Sequence, residues 1–333
     1  MRSASDTSHP RRLLVVGAGA IGAALGALLS ENGLPVTLIA RGPHGRALDS
    51  AGVHLRLPEP AGRAGTSRNI RVAVAERLEI LDPGPEDLVL LTTMAHQTDD
   101  ALAGLPASVP VVSLQNGVHA PDRVRQRGHP TVAGMVFVMA ERRGPGVIAL
   151  SGAPGPGTVL LGPWGPDAPE RAGMWLAAQL DAVGIRAEWE PDIAPWIRAK
   201  LLTNLGGIVV ALCDEPPVEL IEAAQAEALA VWAAAAEPTE TVEALLGRVG
   251  PLQSLCVDGA PRIGGSTRAA LARGDVLETG ALHGPIVEAG RRFGVPTPVN
   301  DALIRLAEDA MLRRLAPGAL SAAELRRSAL GRP

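Results

Sequence analysis

Tyrosine is absent from these 333 residues, phenylalanine occurs twice and lysine once. Without tyrosine there is no phenolic general acid, which excludes the Ser-Tyr-Lys arrangement of short-chain dehydrogenases. Two cysteines, Cys213 and Cys256, set no disulfide framework and show no metal-ligand spacing. They fit core thiols in a reducing cytoplasm. A basic surplus is also lacking: 31 Lys and Arg stand against 35 Asp and Glu, a net charge of −4, which argues against a nucleic-acid partner. The uncharged run at 13–29 is short for a membrane span, and Gly17, Gly19, Gly22 and Gly26 weaken it further. Arg11-Arg12 ahead of that run resembles the start of a signal peptide. A second apolar run at 35–40 follows at once, so a buried strand leading into a buried helix of a soluble, cytoplasmic protein is the preferred reading.

The scarcity of lysine carries information of its own. Thirty of the 31 basic side chains are arginine, and the exception is Lys200. A guanidinium stays charged at any accessible pH, whereas an ammonium can release its proton near neutrality. Lys200 is therefore a candidate for proton chemistry, although an Arg-, Ala-, Gly- and Pro-heavy chain could also keep one surface lysine by chance.

Apolar residues make up 47% of the chain, and the length suits two domains. Residues 1–10 read as a disordered tail. From 11 to 190, β-branched runs at 12–17, 35–40, 70–74, 87–92, 109–113, 130–139, 147–151 and 158–161 alternate with helical stretches at 20–32, 97–104, 119–126 and 167–182. Alternation of this kind indicates an α/β domain with a doubly wound sheet. The segment 144–163 reads as an antiparallel hairpin with Gly/Pro turns. From 191 to 333 the strand signal stops. Helical periodicity over 192–213, 217–236, 238–248, 262–273, 276–293, 299–313 and 321–330 predicts an all-helical second domain. Its apolar stretch 228–236 offers either a homodimer face or core.

Gly17-Ala18-Gly19-Ala20-Ile21-Gly22 follows the first strand and opens the first helix. In that setting the spacing marks a dinucleotide site. The first glycine allows the turn, the second lets the backbone approach a pyrophosphate, and the third lets helix and strand pack closely. The backbone of Ala20 and Ile21 lies in the helix N-terminus that would face the phosphates. The second strand ends in Arg41 and not in a carboxylate, which favours NADPH, whose 2′-phosphate an arginine can hold. Two further loops sit at C-terminal strand ends: 92–97, which contains Met94, and 114–117, which contains Asn116. Asn116-Gly117 is either a turn or a polar contact to nicotinamide or substrate.

Lys200 and Asn204 are four apart and share one helix face. Reduction of a ketone creates an alkoxide that needs a proton donor, a role open to a lysine oriented by a carboxylate. Farther on, the segment 264–284 carries Ser266 and Glu278, the latter also compatible with a solvated helix face.

The chain resembles the ketopantoate reductase family over about residues 12–310. The resemblance rests on GAGAIG, Arg41, Leu114-Gln115-Asn116-Gly117, Lys200 with Asn204, Ser266, and the LETG…HG segment with Glu278. It implies a Rossmann domain, with an all-helical C-terminal domain like that of 6-phosphogluconate dehydrogenase. It further implies that Lys200 donates the proton, that Glu278 is its catalytic partner, and that Asn116, Asn204 and Ser266 contact substrate. Gly17, Gly19, Ala20, Ile21, Gly22, Arg41, Met94 and Asn116 would hold NADPH, and no metal is implied. Met94 stands where the family usually carries a lysine, and Ile208 where it commonly carries a second asparagine. The implied activity is reduction of a small branched 2-oxo acid, either ketopantoate to pantoate in pantothenate biosynthesis or a less polar analogue. Reduction of another C=O or C=N substrate in secondary metabolism is the second reading. A catalytically silent NADP(H)-binding protein is the third.

Overall fold

The computed structural model describes residues 9–58 and 65–330; residues 1–8 of the expected tail lie outside them. Two compact units are formed. The first runs to Ile193 and takes in Leu246–Arg262; the second holds Ala194–Leu245 and the chain from Ile263 on.

The first unit begins with β1 (Arg12–Val16), α1 (Ala20–Glu31), β2 (Val36–Ile39), α2 (Gly42–Ala51), β3 (Val53–Arg56), β4 (Ser67–Ile70) and β5 (Ala73–Ala75). It continues with β6 (Asp87–Leu91), α3 (Thr98–Ala101), β7 (Val111–Ser113), α4 (Ala120–Gln126), β8 (Thr131–Val138), β9 (Ala140–Gly144) and β10 (Val147–Leu150). Then come β11 (Gly152–Ala153), β12 (Gly157–Trp164), α5 (Glu170–Ala182) and β13 (Arg186–Trp189). The main sheet has the order β13-β12-β8-β7-β6-β1-β2-β5. Its strands are parallel except at the β8–β12 pair. β1 lies between β2 and β6, so the winding direction reverses beside it, and the loops after β1 and β6 flank the switch point where such sheets bind ligands.

The uninterrupted apolar character of β1 follows from cover on both faces. Leu13 and Val15 join one core cluster with Leu25, Leu28 and Leu29 of α1 and Leu176 and Leu180 of α5. Leu14 and Val16 join a second cluster with Val89, Leu91, Val111 and Val124. The start of β1 is fixed electrostatically. Asp87 of β6 is fully enclosed and accepts hydrogen bonds from Arg11, Arg12 and the Gly84 amide. Burial works to raise its carboxyl, but the two guanidiniums and the amide outweigh this and hold it at about 2.

The structure departs from the sequence reading at four places. The run 70–74 divides between β4 and β5, which belong to different sheets. The segment 144–163 is not a hairpin. β10 pairs with β9 and β3 in a second sheet ordered β4-β3-β10-β9, while β12 crosses to the main sheet and pairs antiparallel with β8. The helix α2 gave no periodic signal because it buries little beyond Gly45 and Leu48. Residues 246–262, which fall in the stretch read as helical, group with the first unit and contribute β14 (Gln253–Ser254), paired with β11.

The second unit contains α6 (Ala194–Leu205), α7 (Gly207–Leu212), α8 (Val218–Ala234), the start of α9 (Val242–Val249), α10 (Ser266–Arg273), α11 (Thr279–Phe293), α12 (Pro298–Leu312) and α13 (Ala322–Leu330). Glu227 of α8 caps α12 from outside, accepting from the Val299 and Asn300 amides and from Asn300 Nδ2. Asn300 Nδ2 also donates to the Ala224 carbonyl, leaving Oδ1 to accept from His283 Nδ1 at 2.7 Å. That arrangement fixes His283 as the neutral Nδ1–H tautomer. Burial lowers its pKa to about 4 against a partial opposing effect of the Asn300 contact.

The folded state thus keeps His283 neutral where the unfolded chain, near the ordinary value of 6.5, already binds a proton. Stability is fully present above pH 6.5 and is lost as pH falls toward 4, by on the order of 3 kcal/mol at full extent. Burial lowers His44 and His129 as well, so His283 accounts for a share of the slope. Thermal melts between pH 7 and 5 should show a falling midpoint. His283→Gln should be less stable at pH 7 and melt with a shallower pH dependence; an unchanged slope would contradict this assignment.

Candidate active site

Three glycines shape the turn between β1 and α1, each for a different reason. Gly17 has φ +101, and a Cβ there would lie 2.6 Å from the Thr93 amide nitrogen. At Gly22 a Cβ would lie 2.4 Å from both the Gly17 carbonyl oxygen and Thr92 Oγ1. Thr92 Oγ1 donates to Gly17 O at 2.7 Å, fastening the end of β6 to the turn. Gly19 differs: a Cβ built there meets nothing within 4 Å. Its missing side chain leaves space open to solvent at the helix start, where α1 has no side-chain cap and no acidic residue in its first turn. Ala20, Ile21 and Gly22 therefore offer first-turn amides to an anion beside an open glycine, and a pyrophosphate fits this donor set.

Arg41 is exposed at the N-cap of α2, at the end of β2. Met94 is half-buried and begins a 3₁₀ turn over Ala95–Gln97; its amide donates to Gln97 Oε1 at 3.3 Å. Asn116 is half-buried, and Gly117 takes φ +95, so this segment is a turn whatever else Asn116 contacts. Sequence reasoning missed the neighbour that organises both loops. Gln115, buried, donates through Nε2 to Thr93 O, Thr93 Oγ1 and Met94 O, and accepts through Oε1 from Thr98 and Ser113. It ties the Met94 loop to the end of β7. A polar residue next to Asn116 at a strand end was the available signal.

In the second unit, α6 carries Lys200 and Asn204 one turn apart, both half-buried. Lys200 Nζ donates to Thr203 Oγ1 at 3.4 Å, and Thr203 in turn donates to the Lys200 carbonyl at 2.7 Å. Thr203 is a second residue that the sequence pattern did not single out. α6 packs against α8 and α11. Ser266 is the exposed first residue of α10, and α10 lies tight on α7: a Cβ at Gly207 would be 2.7 Å from Thr267 Oγ1. Glu278 is half-buried at the N-cap of α11, its carbonyl accepting from the Ala281 and Leu282 amides. Ile208 is enclosed, 1% exposed, on α7 beyond the break at Gly206. Among the described residues no group of His, Cys, Asp and Glu could hold a metal ion, and no helix is long and apolar enough to cross a membrane.

The glycine geometry separates fold from function. Gly17→Ala and Gly22→Ala drive a methyl into backbone and should cost about 1–3 kcal/mol each, read as a lower melting temperature. Gly19→Ala should melt within a degree or so of the parent and lose dinucleotide binding, measured by titration. Equal destabilisation at all three positions would refute the assignment of Gly19 to a ligand.

Comparison with known proteins bears on this layout. A family model described as "Ketopantoate reductase PanE/ApbA" matches residues 13–166, and one described as "Ketopantoate reductase PanE/ApbA C terminal" matches residues 200–310. A protein from Mycobacterium tuberculosis named 2-dehydropantoate 2-reductase is 29% identical over 311 residues, covering 88% of this chain and 96% of the relative. A protein of the same name from Pyrococcus horikoshii is 30% identical over 196 residues, or 58% of this chain, and the match spans 60% of that relative's length. The crystal structure of a PanE/ApbA family ketopantoate reductase from Ralstonia eutropha superposes with a TM-score of 0.73 at 26% identity, covering 91% of this chain and 99% of the other. D-mandelate dehydrogenase, in a ternary structure with NADH and anilino(oxo)acetate, shares the fold at 21% identity, with a TM-score of 0.73 and coverage of 91% and 99%. With both of its regions matched over most of their length, the chain belongs to the ketopantoate reductase family.

Proposed function

We propose that this protein reduces a small branched 2-oxo acid to the 2-hydroxy acid with NADPH, ketopantoate to pantoate or a less polar analogue. The observation that carries the reading is the chain's single lysine. It sits half-buried on α6 one turn before Asn204, at the first residue of the matched C-terminal region. When bound, the nicotinamide supplies a hydride. The remaining work falls to this chain's own side chains. The amides at the start of α1 hold the pyrophosphate, and Arg41 pairs with the 2′-phosphate. Asn116, Asn204 and Ser266 hold the oxo acid. Lys200 gives a proton from Nζ to the carbonyl oxygen as negative charge develops there, and Glu278 orients and supports the ammonium.

Met94 favours the less polar analogue: an apolar, half-buried side chain occupies a loop position where family members usually present a cation. Ile208 does not add to this argument, because it is enclosed in packing.

Oxidation of NADPH and of NADH, followed side by side over 2-oxo acids, β-keto compounds and imines, tests the reading. The expected result is turnover of a branched 2-oxo acid with NADPH preferred. Lys200→Ala should lower kcat by about 10²–10⁴-fold while NADPH affinity stays within about threefold. Full turnover in that variant would remove Lys200 from the mechanism. Tight NADPH binding with no carbonyl reduced would favour a silent binding protein.

A further inference from the structure

His44, on the first turn of α2, bridges two backbone segments of the dinucleotide unit. The Gly146 amide donates to its Nδ1 at 3.0 Å, so that nitrogen carries no proton, and Nε2–H then donates to the Ala18 carbonyl at 2.7 Å. Ala18 lies inside the glycine-rich turn; Gly146 lies in the β9–β10 turn and is held from its other side, its carbonyl accepting from the His54 amide at 2.8 Å. Gly45 makes the approach possible. A Cβ there would lie 2.5 Å from the Ala40 carbonyl oxygen, so without a side chain α2 settles on the end of β2 and brings His44 to the turn. Burial lowers the pKa of the ring, against an opposing pull from the Ala18 carbonyl and with a smaller contribution from Arg142, which repels a positive charge.

We propose that His44 is a positioning residue that latches the glycine-rich turn in its anion-receiving form. The inference rests on the dinucleotide reading above. A trans peptide is planar, so its carbonyl and the following amide point in opposite directions. Holding the Ala18 carbonyl on His44 sets the direction of the Gly19 amide, which donates to the Gly17 carbonyl at 2.7 Å and closes the turn. If the 18–19 peptide flipped, the Ala18 carbonyl would turn onto the Gly17 carbonyl that now accepts from the Gly19 amide, and the turn that leads into the first-turn amides of α1 would be unseated. Among the described residues His44 is the side chain that holds Ala18 O, and the rest of the turn is held by backbone hydrogen bonds and by Thr92.

The test compares nucleotides that do and do not carry a pyrophosphate. His44→Leu keeps bulk and removes both hydrogen bonds. It should weaken NADPH and NADH by about tenfold or more, the equivalent of one lost hydrogen bond, while adenosine 2′-phosphate binds within about twofold of the parent. His44→Gln retains one donor and one acceptor on adjacent atoms and should recover most of the dinucleotide affinity, with melting temperature recorded for both variants. A parallel fall in all three ligands, or no fall in any, overturns the latch. So does a His44→Gln protein that folds and binds no better than His44→Leu. Parent protein that binds neither dinucleotide overturns the reductase reading itself, and the latch with it; parent binding alongside undiminished His44→Leu binding overturns the latch alone.

Discussion

The packing of Gly22 against the Gly17 carbonyl and Thr92 Oγ1 is the constraint on which the first unit depends. At Gly22 α1 approaches the strand ends so closely that a Cβ would lie 2.4 Å from each of these oxygens. From that contact follow the left-handed φ at Gly17, the hydrogen bond that fastens β6 to the turn, and the depth to which Leu25, Leu28 and Leu29 enter the core. The helix start is then presented with its amides unfilled beside the open Gly19. Packing and binding here are one geometry, since the contact that buries the helix also aims its N-terminus.

The second unit uses the same device for another purpose. Gly206 lies under Ile221 and Gly207 under Thr267, so the chain after α6 runs close to α8 and α10. These approaches anchor the C-terminal end of the helix that carries Lys200 and Asn204. The hydrogen bonds that run from half-buried Glu227 through buried Asn300 to His283 link α8, α11 and α12, which favours a single arrangement over several. A chain poor in aromatic residues gains rigidity from small residues and directed polar contacts instead of from large interlocking rings.

Legibility in the sequence followed the reach of each signal. The strand runs at 12–17 and 87–92 and the long helices of the second unit were readable because burial on fixed faces leaves a period in the residues. The glycine motif was readable because each glycine answers a local steric demand. The helix α2 was not readable, since its burial is nearly confined to Gly45 and Leu48, and neither was the destination of β10, because pairing with β3 is a long-range choice that its own residues do not encode. At the site, Lys200 announced itself by rarity. Gln115 and Thr203 act by touching other residues; the polarity of Gln115 at a strand end was a faint signal of that role, and Thr203 left none.

The return of Leu246–Arg262 to the first unit makes the chain cross between the two units three times. β14 completes a pairing with β11, and Arg248 reaches Glu188 and Glu190 of the first unit. The two units are therefore interleaved along the gene product and not joined by a single linker. On a ribosome the dinucleotide unit gains its last strand and these ion pairs only after the first helices of its neighbour have emerged, so the two units mature together. For the same reason, one cut cannot separate them into exchangeable modules.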